Sequence, residues 1–246
     1  MPATKVAVII PARWGSTRFP GKPLHLIAGK PLIQHVWEKC CRAKSVSRII
    51  VATDDVRIAD AAFDFGAEVA MTSPSHPSGT DRISEVAKKL KKITHVLNVQ
   101  GDEPLIDPRL INRLGRELTR NPAIEMITAA SPFEEEAAIE NPNVVKVVLD
   151  QKSNALYFSR SPIPFNRDAT ESTPRFRHQG IYGYSRKLLL KFVRWQPTPL
   201  EQCEKLEQLR ALEHGVKIRV LLTDHTAVGV DTPEDAEKAA RLLETL

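Results

Sequence analysis

The chain has 246 residues, of which 42% are hydrophobic and 26% are charged. This is enough for a full core in one domain, and the formal net charge of +5 favours small anionic ligands over nucleic acid, which needs a dense basic face. The three cysteines form neither a disulfide framework nor a C-x-x-C metal motif, and no apolar run approaches ~20 residues, so we expect a cytoplasmic protein without a signal peptide or a membrane span.

The first predicted element is a strand buried on both faces, formed by the apolar run from Val6 to Ile10. Pro11 ends it, because proline cannot donate to a sheet ladder. The loop that follows sets three cations among glycines and hydroxyl residues, namely Arg13, Arg18 and Lys22. Cations and free backbone amides at the end of a buried strand favour a polyphosphate, and ligands bind there in open α/β sheets.

This loop is not a standard phosphate loop. Gly15 and Gly21 are one residue too far apart for the Walker A motif, and Pro23 replaces the Ser or Thr that binds magnesium. There is also no G-x-G-x-x-G motif for a dinucleotide. Considered alone, the loop is compatible with a solvated basic segment as well as with a phosphate site.

Strands and helices then alternate along the chain, which predicts a doubly wound, Rossmann-like α/β fold with a mostly parallel sheet. Asp54 and Asp55 precede one of the helices, and we interpret them as a helix cap rather than a metal site. The predicted elements are a helix opening at Lys30, a strand over Arg48–Ala52, a helix over Val56–Phe65, a strand over Glu68–Met71, a helix after Thr80 and a strand over Thr94–Val99.

Two loops in this half are candidates for a ligand site. The Pro-rich segment 72–82 predicts a second loop that closes over a nucleotide base, with Arg82 nearby and with helix capping as the alternative role of Thr80. Segment 100–104 is an acidic turn after a central parallel strand, and it predicts a magnesium site at Asp102. The alternative is a surface turn rich in turn-forming residues.

From about residue 125 the pattern becomes β-rich. We predict a single domain over residues 1–246, in which residues 125–200 form an insertion that extends the sheet, with a β-hairpin turning around Asp150 to Ser153. This insertion is a candidate dimer surface. A helix from Pro199 to His214 follows, and beside its apolar stripe lie Glu207 and Gln208, for which a solvated polar face is the competing interpretation. In the closing helix Thr232 is the predicted cap, which leaves Asp231 available for another role.

Seven motifs taken together resemble one family, the 3-deoxy-manno-octulosonate (Kdo) cytidylyltransferases, also called CMP-Kdo synthetases. The resemblance covers nearly the whole chain, and only the loop between Asn166 and His178 departs from it, because it is shorter than in some members. In chain order the motifs are PARWGSTRFPGKPL, SGTDR, VQGDEP, ALYFSR, HQGIYGY, LEQLRALEHG and GVDTPED.

The resemblance implies a magnesium-dependent, cytoplasmic, homodimeric enzyme that activates Kdo with CTP for lipopolysaccharide synthesis. The sugar hydroxyl would attack the α-phosphate directly, so positioning and charge neutralisation would supply most of the catalysis. Catalytic roles would fall to Arg13, Lys22, Asp102 and Asp231, of which Asp102 and Asp231 would hold Mg²⁺. Nucleotide contacts would come from Pro11, Ala12, Arg13, Arg18, Lys22, Ser78, Gly79, Thr80 and Arg82. Kdo would be held by Gln100, Arg160, His178, Tyr182, Glu207 and Gln208.

Two alternatives remain open from the sequence. One is a cytidylyltransferase for another sugar acid, such as a sialic acid or an 8-amino analogue of Kdo. The other is a nucleotide-binding module without catalysis, against which the presence of Lys22, Asp102 and Asp231 argues.

Overall fold

The computed structural model describes residues 4–15, 19–133, 136–167, 174–225 and 229–244. Within these ranges no helix is both long enough and apolar enough to cross a membrane. The strands are β1 (Val6–Ala12), β2 (Leu26–Ile27), β3 (Lys30–Pro31), β4 (Arg48–Thr53), β5 (Glu68–Met71), β6 (His95–Asn98), β7 (Met126–Pro132), β8 (Lys146–Leu149), β9 (Ala155–Ser159), β10 (Phe176–Ser185) and β11 (Ile218–Leu222). The helices are α1 (Leu32–Cys41), α2 (Val56–Asp64), α3 (Gly79–Lys89), α4 (Pro108–Arg120), α5 (Arg186–Phe192), α6 (Pro199–Glu204), α7 (Gln208–Glu213) and α8 (Pro233–Leu243), with 3₁₀ turns at Lys22–Leu24 and Glu136–Ile139.

One large sheet organises the chain, and its strands follow the order β11-β7-β10-β6-β1-β4-β5. Along this path β10 is antiparallel to both of its neighbours, whereas the remaining pairs are parallel. The predicted mostly parallel α/β fold is therefore confirmed. Because β1 lies between β4 and β6, the ends of these strands meet at one edge of the sheet, where the sequence places its basic and acidic loops.

Helices cover both faces of the sheet, as expected for a doubly wound fold. On one face α3, α5 and α7 pack against the strands around Ile83, Leu189 and Leu209. On the other face α1, α2 and α4 enclose a second core around Val36 and Leu114. Strands buried on both sides read as continuous apolar runs, which explains why Val6–Ile10 has no alternating pattern.

The β-rich second half joins the main sheet rather than forming a separate layer. Strands β7 and β10 lie inside the sheet, while β8 and β9 form the predicted hairpin and attach to it through β10. The hairpin turns at Asp150, whose carboxylate accepts from the backbone N–H groups of Lys152 and Asn154. Ser153 takes a left-handed conformation in this turn, with φ of 58°.

The prediction of one continuous helix over Pro199–His214 is wrong. Lys205 adopts a left-handed conformation, with φ of 54°, and the chain forms α6 and α7 instead of one helix. At the start of α6 the backbone N–H of Thr198 donates to Glu201 Oε2 at 3.1 Å, and Glu201 also pairs with Arg210 of α7. This break changes which side chains turn inward, so that Leu200 is exposed while Gln208 is buried.

Gly183 is a position in β10 where the packing tolerates no side chain. A Cβ atom there would lie 2.5 Å from Ile127, 2.9 Å from Leu97 and 3.0 Å from Leu118. We predict that Gly183→Ala destabilises the protein by roughly 1–3 kcal/mol, the usual cost of overpacking a core. Thermal unfolding would measure it against Gly229→Ala, whose Cβ meets nothing within 4 Å. Equal melting temperatures for the two variants would contradict this account of the sheet.

Candidate active site

A cavity of about 270 Å³ opens at the carboxyl ends of β1 and β6. It lies beside the edge where the basic loop, the acidic turn and the start of α3 meet. The residues that line it are Pro11, Ala12, Arg13, Lys22, Pro23, His76, Pro77, Ser78, Gly79, Arg82, Gln100, Gly101, Asp102 and Asp231. Most of the predicted nucleotide-binding residues thus surround one space.

At one end of the cavity the Lys22 ammonium group joins its own loop to two distant segments. It donates to Asp102 Oδ2 at 2.7 Å, to Asp231 Oδ1 at 3.2 Å and to the carbonyl oxygen of Val230 at 2.9 Å. The Lys22 side chain is only 14% exposed, whereas that of Asp231 is 54% exposed. A single cation therefore offsets the repulsion between two carboxylates, and the three side chains together keep one negative charge.

Local backbone geometry brings these groups together. Gly21 has φ of 70°, a conformation that suits glycine, and it starts the 3₁₀ turn that carries Lys22. Gly101 allows the acidic turn to approach β1, because a Cβ atom there would lie 2.7 Å from the carbonyl oxygen of Pro11. The backbone N–H of Val230 donates to the carbonyl oxygen of Asp102 at 2.8 Å, which holds the C-terminal segment against this turn.

The C-terminal helix is held in place by a small core of its own. Val230, Ala236 and Ala239 pack against Phe19, Ile27 and Leu32 near the β2–β3 hairpin. The predicted cap is confirmed, since Thr232 and Asp235 form a capping box. The Asp231 carboxylate is not part of this cap and reaches Lys22 instead.

The opposite end of the cavity contains a buried guanidinium group. Arg82 is only 3% exposed, and it pairs with Asp54 at 3.1 Å and donates to the Thr72 hydroxyl. Asp55, and not Asp54, caps α2 by accepting from the backbone N–H of Arg57 at 3.0 Å. The predicted shared capping role is therefore wrong for Asp54, whose side chain turns inward to Arg82.

Thr80 does not cap α3 and does not line the cavity. The helix cap is Ser78, whose hydroxyl accepts from the backbone N–H of Asp81 at 3.1 Å. The Thr80 hydroxyl instead donates to Glu207 at 2.5 Å, a contact between the start of α3 and the break before α7. Burial raises the pKa of Glu207, and the hydrogen bond from Thr80 partly offsets that shift.

Behind Glu207 an aromatic row runs along β10. The rings of His178 and Tyr182 lie 5.3 Å apart, and those of Tyr182 and Tyr184 lie 6.0 Å apart. A hydrogen bond also joins His178 Nε2 and the Thr128 hydroxyl at 3.0 Å. Burial lowers the pKa of His178 to about 3, so the imidazole is neutral at physiological pH. Burial likewise raises the pKa of Tyr182, which stays a neutral phenol.

The structure separates the remaining predicted sugar contacts. Gln100 lines the cavity, and its amide lies 3.5 Å from the carbonyl oxygen of Gly180. Gln208 is buried at the start of α7. Arg160 is not brought to the cavity, because its guanidinium group donates to the carbonyl oxygens of Glu204 and Pro142. Arg18 and part of the loop between Asn166 and His178 lie outside the described residues.

Sequence reasoning missed two residues here. His76, interpreted only as a loop residue, lines the cavity and pairs with Glu85 at 2.8 Å. Glu103 has one buried carboxylate oxygen without a hydrogen-bond partner among the described residues. Burial and the neighbouring Asp102 raise the pKa of Glu103 to about 8. The position of Glu103 in the acidic turn was the one sequence feature that pointed to it. Turn residues are ordinarily solvated, so nothing in the sequence indicated its burial.

The two aspartates suit a hard divalent cation. Among the described residues no cluster of three or more His, Cys, Asp or Glu side chains could hold a metal. Asp102 and Asp231 nonetheless converge on one positive charge, the Lys22 ammonium, and carboxylate oxygens are ligands that Mg²⁺ prefers. Mg²⁺ usually takes only one or two carboxylates and completes its coordination with water and phosphate.

Comparisons with known proteins agree with this arrangement. The cytidylyltransferase family model matches residues 7–218. Two curated relatives, both named 3-deoxy-manno-octulosonate cytidylyltransferase, come from Geobacter sulfurreducens and Pseudomonas syringae pv. syringae. The first is 50% identical over 97% of this chain and 99% of its own length, and the second is 50% identical over 96% and 97%.

Solved structures give the same picture. A CMP:2-keto-3-deoxy-manno-octonic acid synthetase complexed with CTP superposes with a TM-score of 0.94 at 42% identity, covering 98% of this chain and 99% of its own. A cytidylyltransferase from Leptospira borgpetersenii shares the fold alone, with a TM-score of 0.68 at 19% identity.

The fold and the charged cavity at its strand ends define a nucleotide-binding protein of the α/β class. The chain belongs to the cytidylyltransferase family and, within it, to the 3-deoxy-manno-octulosonate cytidylyltransferases.

The lowered pKa of His178 leads to a testable pH dependence of stability. In the unfolded chain this imidazole takes up a proton below its ordinary pKa near 6.5, whereas in the folded chain its pKa is about 3. His178 therefore contributes stability above pH 6.5 that is lost as the pH falls towards 3. We predict that the free energy of unfolding falls less steeply with decreasing pH in His178→Gln than in the wild type. The difference in slope is at most about 1.4 kcal/mol per pH unit. Denaturant unfolding between pH 4 and 7 would measure it, with the exposed His214→Gln as control. Identical slopes for wild type and His178→Gln would contradict the assignment.

Proposed function

We propose that this chain transfers the cytidylyl group of CTP to 3-deoxy-manno-octulosonate and releases pyrophosphate. The observation that carries the proposal is the full-length similarity to a synthetase solved with CTP, together with a cavity that joins Lys22, Asp102 and Asp231 at one end to Arg82 at the other. The product is an activated sugar acid, which we propose serves lipopolysaccharide synthesis in the cytoplasm.

The two ends of the cavity suggest how CTP lies in it. Arg13 and Lys22 line the cavity together with Asp102 and Asp231, which would hold Mg²⁺, so the triphosphate is directed to this group, with Arg18 as a further expected contact. The cytosine ring then faces Ser78, Gly79 and Arg82, with Pro11 and Ala12 as further contacts of the nucleotide. A buried guanidinium offers donors to the carbonyl oxygen and ring nitrogen of cytosine, whereas uracil presents an N–H at that nitrogen.

Asp102 and Asp231 would hold Mg²⁺ in this proposal. The ion would supply Lewis-acid polarisation of the phosphate oxygens. Lys22 already lies against both carboxylates, at 2.7 and 3.2 Å, and so its ammonium is placed to offset the charge of the departing pyrophosphate.

The sugar acid would bind on the α3 and α7 side of the cavity. Gln100 lines the cavity. We propose that the sugar hydroxyls are held by Glu207, Gln208, His178 and Tyr182. The anomeric oxygen of the sugar forms a bond to the α-phosphorus, and the bond from that phosphorus to the oxygen bridging the α- and β-phosphates breaks. Pyrophosphate leaves with the bridging oxygen, and the hydroxyl proton passes to water. Because His178 and Tyr182 are uncharged, they recognise hydroxyls by hydrogen bonding. We leave Arg160 out of this set, since its guanidinium is engaged elsewhere.

We further propose that the protein acts as a homodimer. Two large apolar side chains near the hairpin are exposed, Leu156 at 62% and Phe165 at 86%, and a second copy would cover them. Light scattering of the purified protein tests this, and a monomer at micromolar concentration would contradict it.

The activity itself is tested by measuring pyrophosphate release. We expect turnover with CTP and Kdo in the presence of Mg²⁺, and much slower turnover with UTP, ATP or GTP. Replacing Kdo with a sialic acid or with 8-amino Kdo distinguishes the related substrates. Equal rates with a purine nucleotide, or no release with any sugar acid, would overturn the proposal.

We predict that Asp102→Asn and Asp231→Asn each lower kcat by about 100-fold or more while the fold survives. Both side chains lie at loops beside the cavity, so the loss of charge creates no core void, but it weakens metal binding. The control is Asp107→Asn, which changes a carboxylate at the cap of α4 to another good capping residue. Full activity of Asp102→Asn or Asp231→Asn at the same Mg²⁺ concentration would show that the altered residue is structural.

We also predict that Gln208→Ala affects the sugar more than the nucleotide. Loss of one polar contact should reduce transition-state stabilisation by about 1–3 kcal/mol, which is measured as a lower kcat/KM for Kdo. The affinity for CTP should be unchanged. Steady-state kinetics and calorimetry with CTP would measure the two quantities. The matched control is Gln202→Ala on the exposed side of α6. A parallel fall in CTP affinity would place Gln208 in the nucleotide site or the core.

A further inference from the structure

A largely buried ion pair joins a residue of the cavity lining to one outside it. Arg82 lines the cavity, and its Nη2 lies 3.1 Å from Asp54 Oδ2, a residue that is not part of the lining. The side chains are 4% and 16% exposed, respectively. The second Asp54 oxygen, Oδ1, is buried without a hydrogen-bond partner among the described residues. Such an incompletely paired carboxylate is costly, so it requires an explanation.

The position of this pair follows from the sheet. Asp54 comes directly after β4, and Thr72 directly after β5, so adjacent parallel strands present both side chains at the same edge. Arg82 lies in the first turns of α3 and donates to the Thr72 hydroxyl as well. The guanidinium group is thus held by residues that follow two adjacent strands, and Arg82 is also one of the residues that line the cavity.

Helix capping does not account for Asp54. Its neighbour Asp55 caps α2 and pairs with the exposed Arg57, whose guanidinium also lies over the Trp14 ring. If Arg82 had no function, an apolar residue at position 54 would serve the stability of the fold at least as well. Replacing a buried ion pair by apolar residues is frequently neutral or stabilising. The pair is therefore best explained by a requirement for a fixed guanidinium at the cavity.

We propose that Asp54, with Thr72, is a positioning residue that holds the Arg82 guanidinium in the orientation that reads the pyrimidine ring of CTP. This inference rests on the proposed function, in which Arg82 faces the nucleotide base. Asp54 contacts no substrate in this scheme. It acts by fixing the planar fork of Arg82, whose donors recognise acceptors only in a defined plane.

The test compares Asp54→Asn with Asp55→Asn, the same change at the adjacent residue, where asparagine also caps the helix. We expect Asp54→Asn to weaken CTP binding on the order of 10-fold, as for other residues that orient a binding group. The preference for CTP over UTP should narrow, and kcat at saturating CTP should change little. Asp55→Asn should bind CTP as the wild type does. Calorimetry with CTP alone, well below the melting temperature, gives the affinities.

A second variant keeps the test decisive if Asp54→Asn does not fold. Thr72→Val removes the hydroxyl acceptor without removing a charge, and it should weaken CTP binding by roughly 5-fold, the equivalent of one hydrogen bond. Asp54→Glu should recover part of the affinity, because it retains the carboxylate. Wild-type CTP affinity in both Thr72→Val and Asp54→Asn, with only a lower melting temperature, would overturn the proposal.

Arg82→Lys separates this inference from the proposed function. Lysine keeps the charge but loses the fork, so CTP binding and the preference over UTP should both fall. If Arg82→Lys binds CTP as tightly as the wild type, Arg82 does not read the base and the proposed nucleotide orientation fails with the inference. If Arg82→Lys is impaired while Asp54→Asn and Thr72→Val are normal, only the role of Asp54 and Thr72 is wrong.

Discussion

The contact between the Lys22 ammonium and the carboxylates of Asp102 and Asp231 is the interaction on which the rest of the site depends. It joins residues 80 and 209 positions apart, at 2.7 and 3.2 Å. Without a cation between them the two aspartates would repel each other, and the C-terminal segment would lose its electrostatic attachment to the sheet edge. The backbone contact from Val230 to Asp102 reinforces the same junction. The segment that leads into the closing helix therefore forms part of the cavity through Asp231.

Both ends of the cavity use a cation held by carboxylates, but with different exposure. Lys22 pairs with Asp231, whose side chain is half-exposed. Arg82 is enclosed with Asp54, where little movement is possible. An adaptable charge suits a triphosphate that must leave as pyrophosphate, whereas a fixed guanidinium suits recognition of a flat base.

Much of the site could be predicted because its residues lie in loops whose composition is unusual. The basic loop with Arg13 and Lys22, and the acidic turn with Asp102, both follow apolar strands, and parallel strands bring such loops to one edge. The break at Lys205 could not be predicted in this way, since the apolar stripe around it continues with helical spacing. Its left-handed conformation buries Gln208 and places Glu207 against Thr80.

The sequence by itself determined the alternation of strands and helices, the caps of the closing helix and the identity of the cavity-lining loops, because these depend on local periodicity and on neighbouring residues. Only the tertiary structure decided the partners of the buried charges. Asp54 and Asp55 are adjacent and chemically identical, yet Asp55 caps a helix and Asp54 pairs with Arg82. Arg160 similarly stays with backbone carbonyls. A charged side chain removed from water takes the nearest opposite charge or acceptor in space, and that neighbour is set by packing rather than by position along the chain.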